Sequence, residues 1–300
     1  MDRIEAMSVL LAVAEAGSIS AASRKLKVPL ATISRKISEL EKHLNARLLM
    51  RSNRNISLTE AGHSFVAASR RILRDVEEAE REASGEHTTV KGELVLSAPI
   101  ALGRLYLLPV VLNFLRDYPN IDIRLMLSDR RLNLIEDQID IGLRVGELND
   151  MSLVAKKVGT VRRVVCASPA YLARRGTPQT PDDLKDHDCI TFENTLSSQS
   201  WEFEFGRKTK SYPIHSRLVV STAEAATDAA VAGIGLTRML NYQIEIQRRE
   251  GQLKLVLESF RPPPKPVHLI YESGKFLPPK IRMFLDFAAV RLKKAMSTLG

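Results

Sequence analysis

Little in this chain suits secretion, a membrane or catalysis. Two cysteines, Cys166 and Cys189, are too few among 300 residues for a disulfide framework. No run approaches the roughly eighteen consecutive apolar residues of a membrane span. The opening MDRIEAMSVL carries Asp2 and Glu5 on a helical rhythm and does not read as a secretory leader. Reduced thiols and a cytoplasmic location are therefore expected. Enzyme signatures are equally scarce, with no G-x-S-x-G elbow, Walker loop or H-E-x-x-H. Gly233-Ile234-Gly235 is too short for a dinucleotide fingerprint. His187-Asp188-Cys189 has no second ligand pair at metal spacing and reads as a loop leading into a strand. No catalytic residue, cofactor or metal is expected.

What the chain does have is positive charge, a net +9, and it is concentrated. Nine basic residues lie between Arg24 and Arg54 against only Glu39 and Glu41, while residues 61–89 reverse the sign. A basic run alone is as well explained by a solvated helix face. The pattern beneath it is more specific.

Ile4, Met7, Leu10, Leu11 and Ala14 recur at helical spacing, and Gly17 follows as a stop. Ser20 is a suitable N-cap for a second helix from Ala21 to about Lys27. Pro29 opens a third helix, in which Ile33, Ile37, Leu40 and Leu44 form one apolar stripe. Ala31, Thr32, Arg35, Ser38, Glu39 and Lys42 then fall on the opposite side. Asn45 suits the end of that helix, because asparagine tolerates the left-handed conformation. Two helices joined by a tight turn, the second polar and basic near its start, are the parts of a helix-turn-helix. Arg35 can offer a fork to guanine, while Thr32 and Ser34 can meet base edges or a thymine methyl. Lys36, Arg51 and Arg54 suit phosphates. Arg51-Ser52-Asn53-Arg54-Asn55, between apolar patches, reads as the tip of a β-wing.

The stretch AVAEAGSISAASRKL, then ATISRKISELEKHLNARLLMR, then LTEAG resembles the winged-helix N-terminus of LysR-type transcriptional regulators. Three positions depart from that pattern. Pro29 and Leu30 stand where the family usually has a serine-glutamine pair, and Asn45 stands where a glycine usually follows. The loss of the glutamine shifts the expected base contacts to Thr32, Ser34 and Arg35. With Ser18, Ser20, Ala31, Lys36, Ser38, Arg51 and Arg54, these make up the expected contacts to double-stranded DNA.

Thr59 can cap a long helix running to about Ser84. Its apolar positions Phe65, Ala68, Ile72, Val76, Ala79 and Ala83 form a seam suited to a partner helix. The competing reading is a helix packed on its own domain. The resemblance implies a dimerising linker helix, with homodimers pairing into homotetramers and RNA polymerase as a further partner, away from any membrane. Residues 84–89 read as a hinge.

From residue 90, strand and helix patterns alternate, which implies parallel sheets flanked by helices. VKGELVLSAP, IDIRLMLSD and DIGLRVGEL read as strands; LGRLYLLPVVLNFLRDYP and LNLIEDQI read as helices. After RRVVCASPAYLARRG the pattern repeats, and VHLIYES precedes a long C-terminal helix. The phrases ASPAYLARRG, DIGLRVG and GIGLTRM resemble the two-lobed, periplasmic-binding-protein-like effector domain of the same family. The expected chain is thus multidomain: residues 1–58 an all-α winged helix-turn-helix, 59–89 a linker helix and hinge, and 90–300 an α/β effector domain. Lobe I would hold about 90–164 and 267–300, and lobe II about 165–266.

Ligands of such folds sit beyond the carboxyl ends of the strands. There lie Ser97, Ala98, Pro99 and Ile100, then Ser128, then Arg144, Val145 and Gly146, then Phe192 and Thr222. Free amides at helix starts beside hydroxyls, with Arg144, would suit a small anionic metabolite. The competing reading is that the hydroxyls cap their own helices, and Ser221-Thr222-Ala223-Glu224 resembles a capping box. Two functional alternatives are a redox switch pairing Cys166 with Cys189, and a solute-binding protein.

Overall fold

The computed structural model describes residues 1–51, 56–83, 90–130, 132–148, 150, 152–192, 200–205, 208–273 and 277–297. Two compact units are present: Met1–Val90 with Asn133–Ile139, and Lys91–Leu132 with Asp140–Gly300.

The first unit opens with α1 (Arg3–Ala16), α2 (Ile19–Leu26) and α3 (Leu30–Leu44). Asp2 caps α1, and Gly17 ends it at φ 66°, a conformation glycine adopts without steric cost. Ser18, not Ser20, caps α2, its hydroxyl accepting from the Ala21 amide at 3.1 Å. Pro29 and Asn45 bound α3. The apolar face of α1 differs from the expected stripe: Ala6, Val9, Leu10, Ala12 and Val13 are buried, while Ile4 is 47% exposed. Residues 9–14 are apolar without a break, so periodicity selects no face there, and packing against α2, α3 and a later helix decides it. Strands β1 (Leu49–Arg51) and β2 (Ile56–Leu58) pair antiparallel as the wing, and α4 (Glu60–Ala83) follows.

The second unit holds two five-stranded sheets. The first contains β3 (Gly92–Ala98), β4 (Ile121–Leu127), β5 (Ile141–Val145) and β6 (Leu153–Val161). Between β3 and β4 run α5 (Ile100–Leu102), a π-helical turn (Gly103–Leu107) and α6 (Leu108–Asp117). The second sheet begins with β7 (Arg163–Ala167), followed by α7 (Pro169–Arg175) and β8 (Asp188–Phe192). A separate hairpin, β9 (Ser200–Phe205) with β10 (Lys208–Pro213), precedes β11 (His215–Val220), α8 (Ala223–Val231) and β12 (Leu236–Leu240). After α9 (Glu245–Arg249) and β13 (Lys254–Val256), β14 (Lys265–Glu272) returns to the first sheet and α10 (Pro279–Met296) covers it.

Neither sheet is purely parallel, contrary to expectation. In the order β4-β3-β5-β14-β6 only β14 is reversed, running antiparallel to both of its neighbours while the other four strands share one direction. The order β11-β8-β12-β7-β13 repeats that arrangement. The antiparallel members are the strands by which the chain crosses between lobes, and a strand leaving one sheet for another arrives reversed. LNLIEDQI forms turns, not a helix. The Asn133 side chain accepts from the amides of Ile135 and Glu136, Asp137 accepts from the Asn133 amide, and Gln138 sits at φ 56°. These local bonds offer the backbone an alternative to helical pairing.

Cys166 and Cys189 lie on opposite faces of the second sheet. Cys166 packs with Val164 and Met239 under α8, and Cys189 with Leu236 and Trp201 on the other side. β12 runs between them, with Thr237 opposite Cys166 and Leu236 opposite Cys189. Two strand spacings, about 10 Å, exceed the reach of a disulfide, so the expected alternative of a Cys166–Cys189 switch fails on geometry. Burial pushes both thiols up to about 12. The folded protein is expected to resist iodoacetamide at pH 8 and to take up two equivalents once denatured; mass spectrometry reads the difference.

Candidate functional site

Helix α3 buries Ile33, Ile37 and Leu40 against α1 and α2, with Leu44 half-buried beside them. That stripe turns Ala31, Arg35, Ser38 and Lys42 outward; Thr32 and Ser34 are half-buried at its margins. Arg35 is 71% exposed, with Glu39 3.8 Å away, a loose pair that water screens and a phosphate or base can displace. Lys36 is ion-paired with Glu5 of α1, so its ammonium must exchange that partner to reach a phosphate. Ser20 is exposed in the first turn of α2, whereas the Ser18 hydroxyl is engaged as its cap. Arg24, Lys27 and Arg47 are exposed as well. Arg54 and the side chain of Arg51 lie outside the described residues.

The wing is tied to α3. Glu41 accepts from the amides of Leu48 and Leu49 at 2.8 and 3.1 Å, joining the end of α3 to the first wing strand. Thr59 donates its hydroxyl proton to the Arg47 carbonyl at 2.6 Å and accepts from the Gly62 amide at 2.9 Å. One side chain thereby starts α4 and anchors the wing. The start of α4 does not wait for a partner: Val66 is buried in the winged-helix core, Phe65 packs against it, and Ser69 is buried too. Phe65, expected in the dimer seam, is half-buried against the core of its own domain. Its ring is used within its own domain, as the first turns of α4 must cover α1. Ala68 and Val76 are half-buried and Ile72 is 38% exposed, while the side chain of Ala79 lies outside the described residues.

In the second unit, most of the expected cleft residues already have partners within the protein. Arg144 donates to the Ser97 hydroxyl at 2.8 Å and to the Leu143 carbonyl at 3.0 Å, and Ser97 is fully buried. Ala98 is buried, Pro99 caps α5 without a side-chain bond, and the Ile100 amide donates to the Asp129 carboxylate at 3.0 Å. Ser128 accepts from the Arg130 amide, Val145 is half-buried and Gly146 turns the chain at φ 105°. Phe192 packs toward α8. Thr222, not Ser221, caps α8 by accepting from the Ala225 amide at 3.3 Å. Glu224 is therefore one residue too early for a capping box, and its Oε1 is buried with no hydrogen-bond partner among the described residues.

Several residues here escaped the sequence pattern. Burial raises the Asp129 carboxyl, and the charge of Glu224 from the other lobe adds to that, against the pull of the Ile100 amide. The π-helical turn aims Tyr106 edge-on at the buried Tyr242 of the other lobe, ring centroids 6.2 Å apart. Such turns recur where a helix must re-aim side chains at a site. The sequence pattern reads Tyr106 simply as part of a helix, and no residue-type signal marks a π-turn.

Two family models match the chain. Residues 4–63 match the bacterial regulatory helix-turn-helix protein, lysR family, and residues 87–293 match the LysR substrate binding domain. The regulator CrgA of Neisseria meningitidis is 32% identical over 289 residues, covering 96% of either chain. An uncharacterized HTH-type transcriptional regulator of Haemophilus influenzae is 31% identical over 281 residues, 94% of this chain and 98% of that one. The solved structure of CrgA matches at a TM-score of 0.61 with 32% identity, over 96% of this chain and 98% of its own. Full-length AphB, a virulence activator of Vibrio cholerae, matches at 0.62 with 30% identity, over 96% and 98%.

Proposed function

Because this chain belongs to the LysR-type transcriptional regulators, we propose that it acts in the cytoplasm as a sequence-specific regulator whose α3 enters the major groove of a pseudo-palindromic promoter site. The observation that carries this reading is the division of α3 into a buried side, Ile33, Ile37 and Leu40, and an exposed side, Ala31, Arg35, Ser38 and Lys42. Arg35, with Thr32 and Ser34, reads bases; the exposed Arg24, Lys27 and Arg47, with Arg51 and Arg54 of the wing, hold phosphates. Ala68, Ile72 and Val76 of α4 contribute the dimer seam, which sets two α3 helices at half-site spacing.

A small anionic effector, received in the cleft between the lobes near Ser97, Ser128, Arg144 and Thr222, changes the spacing of the two heads and so links its own binding to that of DNA. The test is selection of bound sequences from a random DNA pool with the wild type and with Arg35→Ala. The variant is expected to lose about 1–3 kcal/mol on the selected site and to relax preference at one base pair per half-site. Equal loss on every sequence would make Arg35 a phosphate clamp.

A further inference from the structure

One large apolar side chain at the start of α3 escapes the core. Ile33, Ile37 and Leu40 are buried and Leu44 is half-buried, yet Leu30, the first residue of the helix, is 48% exposed. Leu30 stands seven residues before Ile37, in line with the apolar stripe, so periodicity alone would bury it. The core stops short of it: Leu26 and Val28 pack there, but half of Leu30 stays open to solvent. Pro29 and Ala31 on either side are exposed too. The tip of the helix is therefore an apolar surface without a side-chain donor or acceptor. In the chain it stands between the exposed cations Lys27 and Arg35.

The backbone that carries Leu30 is pinned. The Ser23 hydroxyl of α2 donates to the Val28 carbonyl at 2.6 Å, and the Val28 amide donates to the Ser23 carbonyl at 3.2 Å. Lys27 closes α2 at φ 54°. Pro29 enters α3 with φ set by its ring, and its carbonyl accepts from the Thr32 amide at 2.9 Å. A side chain on so fixed a backbone meets a partner at a reduced ordering cost.

We propose that Leu30 is a specificity-determining residue that reads the C5-methyl group of a thymine in the major groove, with Ala31 beside it. The inference rests on the reading of α3 as the recognition helix, whose N-terminal residues are the ones that reach base edges. Neither side chain can form a hydrogen bond, and the thymine methyl is the one apolar group by which unmodified base pairs are told apart in that groove. Contact between the two removes apolar surface of both from water. Such a contact selects a base, whereas a phosphate contact strengthens binding to every sequence alike. Leu30 precedes Arg35 by five residues, about 7.5 Å along the helix axis. The thymine therefore lies within about three base pairs of the pair that Arg35 reads.

The test is uracil scanning. On a site selected by the full-length wild type, each thymine is replaced in turn by uracil, which removes the methyl and leaves the hydrogen-bonding edges intact. At one thymine per half-site, within the stated distance, the replacement is expected to weaken wild-type binding about threefold to tenfold and binding by Leu30→Ala less than about twofold. Leu30→Met, which keeps an apolar side chain of similar size, should retain the penalty. 5-Bromouracil at that position, with a bromine in place of the methyl, should restore wild-type affinity. Circular dichroism melts of both variants should match the wild type, because the side chain is half exposed. Uracil without effect at every thymine, a selected site lacking thymine within that distance, or equal penalties for the wild type and Leu30→Ala would overturn the proposal. Each of those results leaves a selected site standing; failure to select any sequence would instead overturn the reading of α3 and this proposal with it.

Discussion

Replacing Ile37 with alanine is expected to cost the N-terminal unit about 2–5 kcal/mol, the range for truncating a fully buried branched side chain. Ile37 has no exposed surface and packs where α3 meets α1 and α2, among Val9, Leu10, Val13, Ala22, Ile33 and Leu40. These neighbours are short and already in contact, so the space left behind cannot be filled by relaxation. A unit of this size has only about 5–15 kcal/mol to lose, and specific DNA binding should disappear well below its normal melting temperature. The effect should also be confined. Trp201 lies in the second unit, so the transition followed by far-ultraviolet circular dichroism should gain an early phase, while that followed by Trp201 fluorescence should not move. Coincident shifts in both signals would show that the two units melt as one.

The second large effect is expected at Gly62. A Cβ built there would stand 2.0 Å from the Leu48 carbonyl oxygen and 2.9 Å from its carbon. Those atoms are backbone and cannot swing aside, unlike the leucine tip that a Cβ at Gly103 would meet. The Leu48 carbonyl also accepts from the Thr59 amide at 3.0 Å, so pushing it away opens the junction of wing and α4. Gly62→Ala is expected to destabilise the N-terminal unit by about 1–3 kcal/mol, despite the better helix propensity of alanine. It should also weaken DNA binding beyond what stability accounts for, because the wing is displaced. Thermal melts with DNA titrations at a temperature where both proteins are folded separate the two effects. A variant as stable as the wild type would mean that α4 moves freely against Leu48.

How far the residues announced this architecture varies along the chain. In α3 the stripe is isolated between polar residues, so spacing alone marks which side is buried, and Ile33, Ile37 and Leu40 are indeed inside. In α1 the unbroken apolar run hides the face, and Ile4 was assigned inward though it is exposed. The strands β3, β5 and β8 are short apolar runs bounded by turns and were evident. β6 was missed because Lys156 and Lys157 interrupt its alternation at a sheet edge. The hairpin was missed although Trp201, Phe203 and Phe205 alternate with Glu202 and Glu204, a period-two signal. Arg163 and Arg238 lie 75 residues apart and come onto neighbouring strands only because β7 runs antiparallel beside β12. Charge patterns along a chain do not record such pairings. At the helix starts of Ile100 and Thr222 a motif shows that amides are available, not which acceptor takes them.

The central claim, that the exposed side of α3 lies in the major groove, can be tested by tethered cleavage. Ser38 is exposed at the middle of that side, and both native thiols are buried, so a Ser38→Cys substitution can be labelled selectively with an iron chelate. On a DNA site selected by the wild type, scission is predicted in two patches centred in the major groove, one helical turn or a multiple of it apart. Scission confined to the minor groove, or spread evenly along the site, would contradict the account.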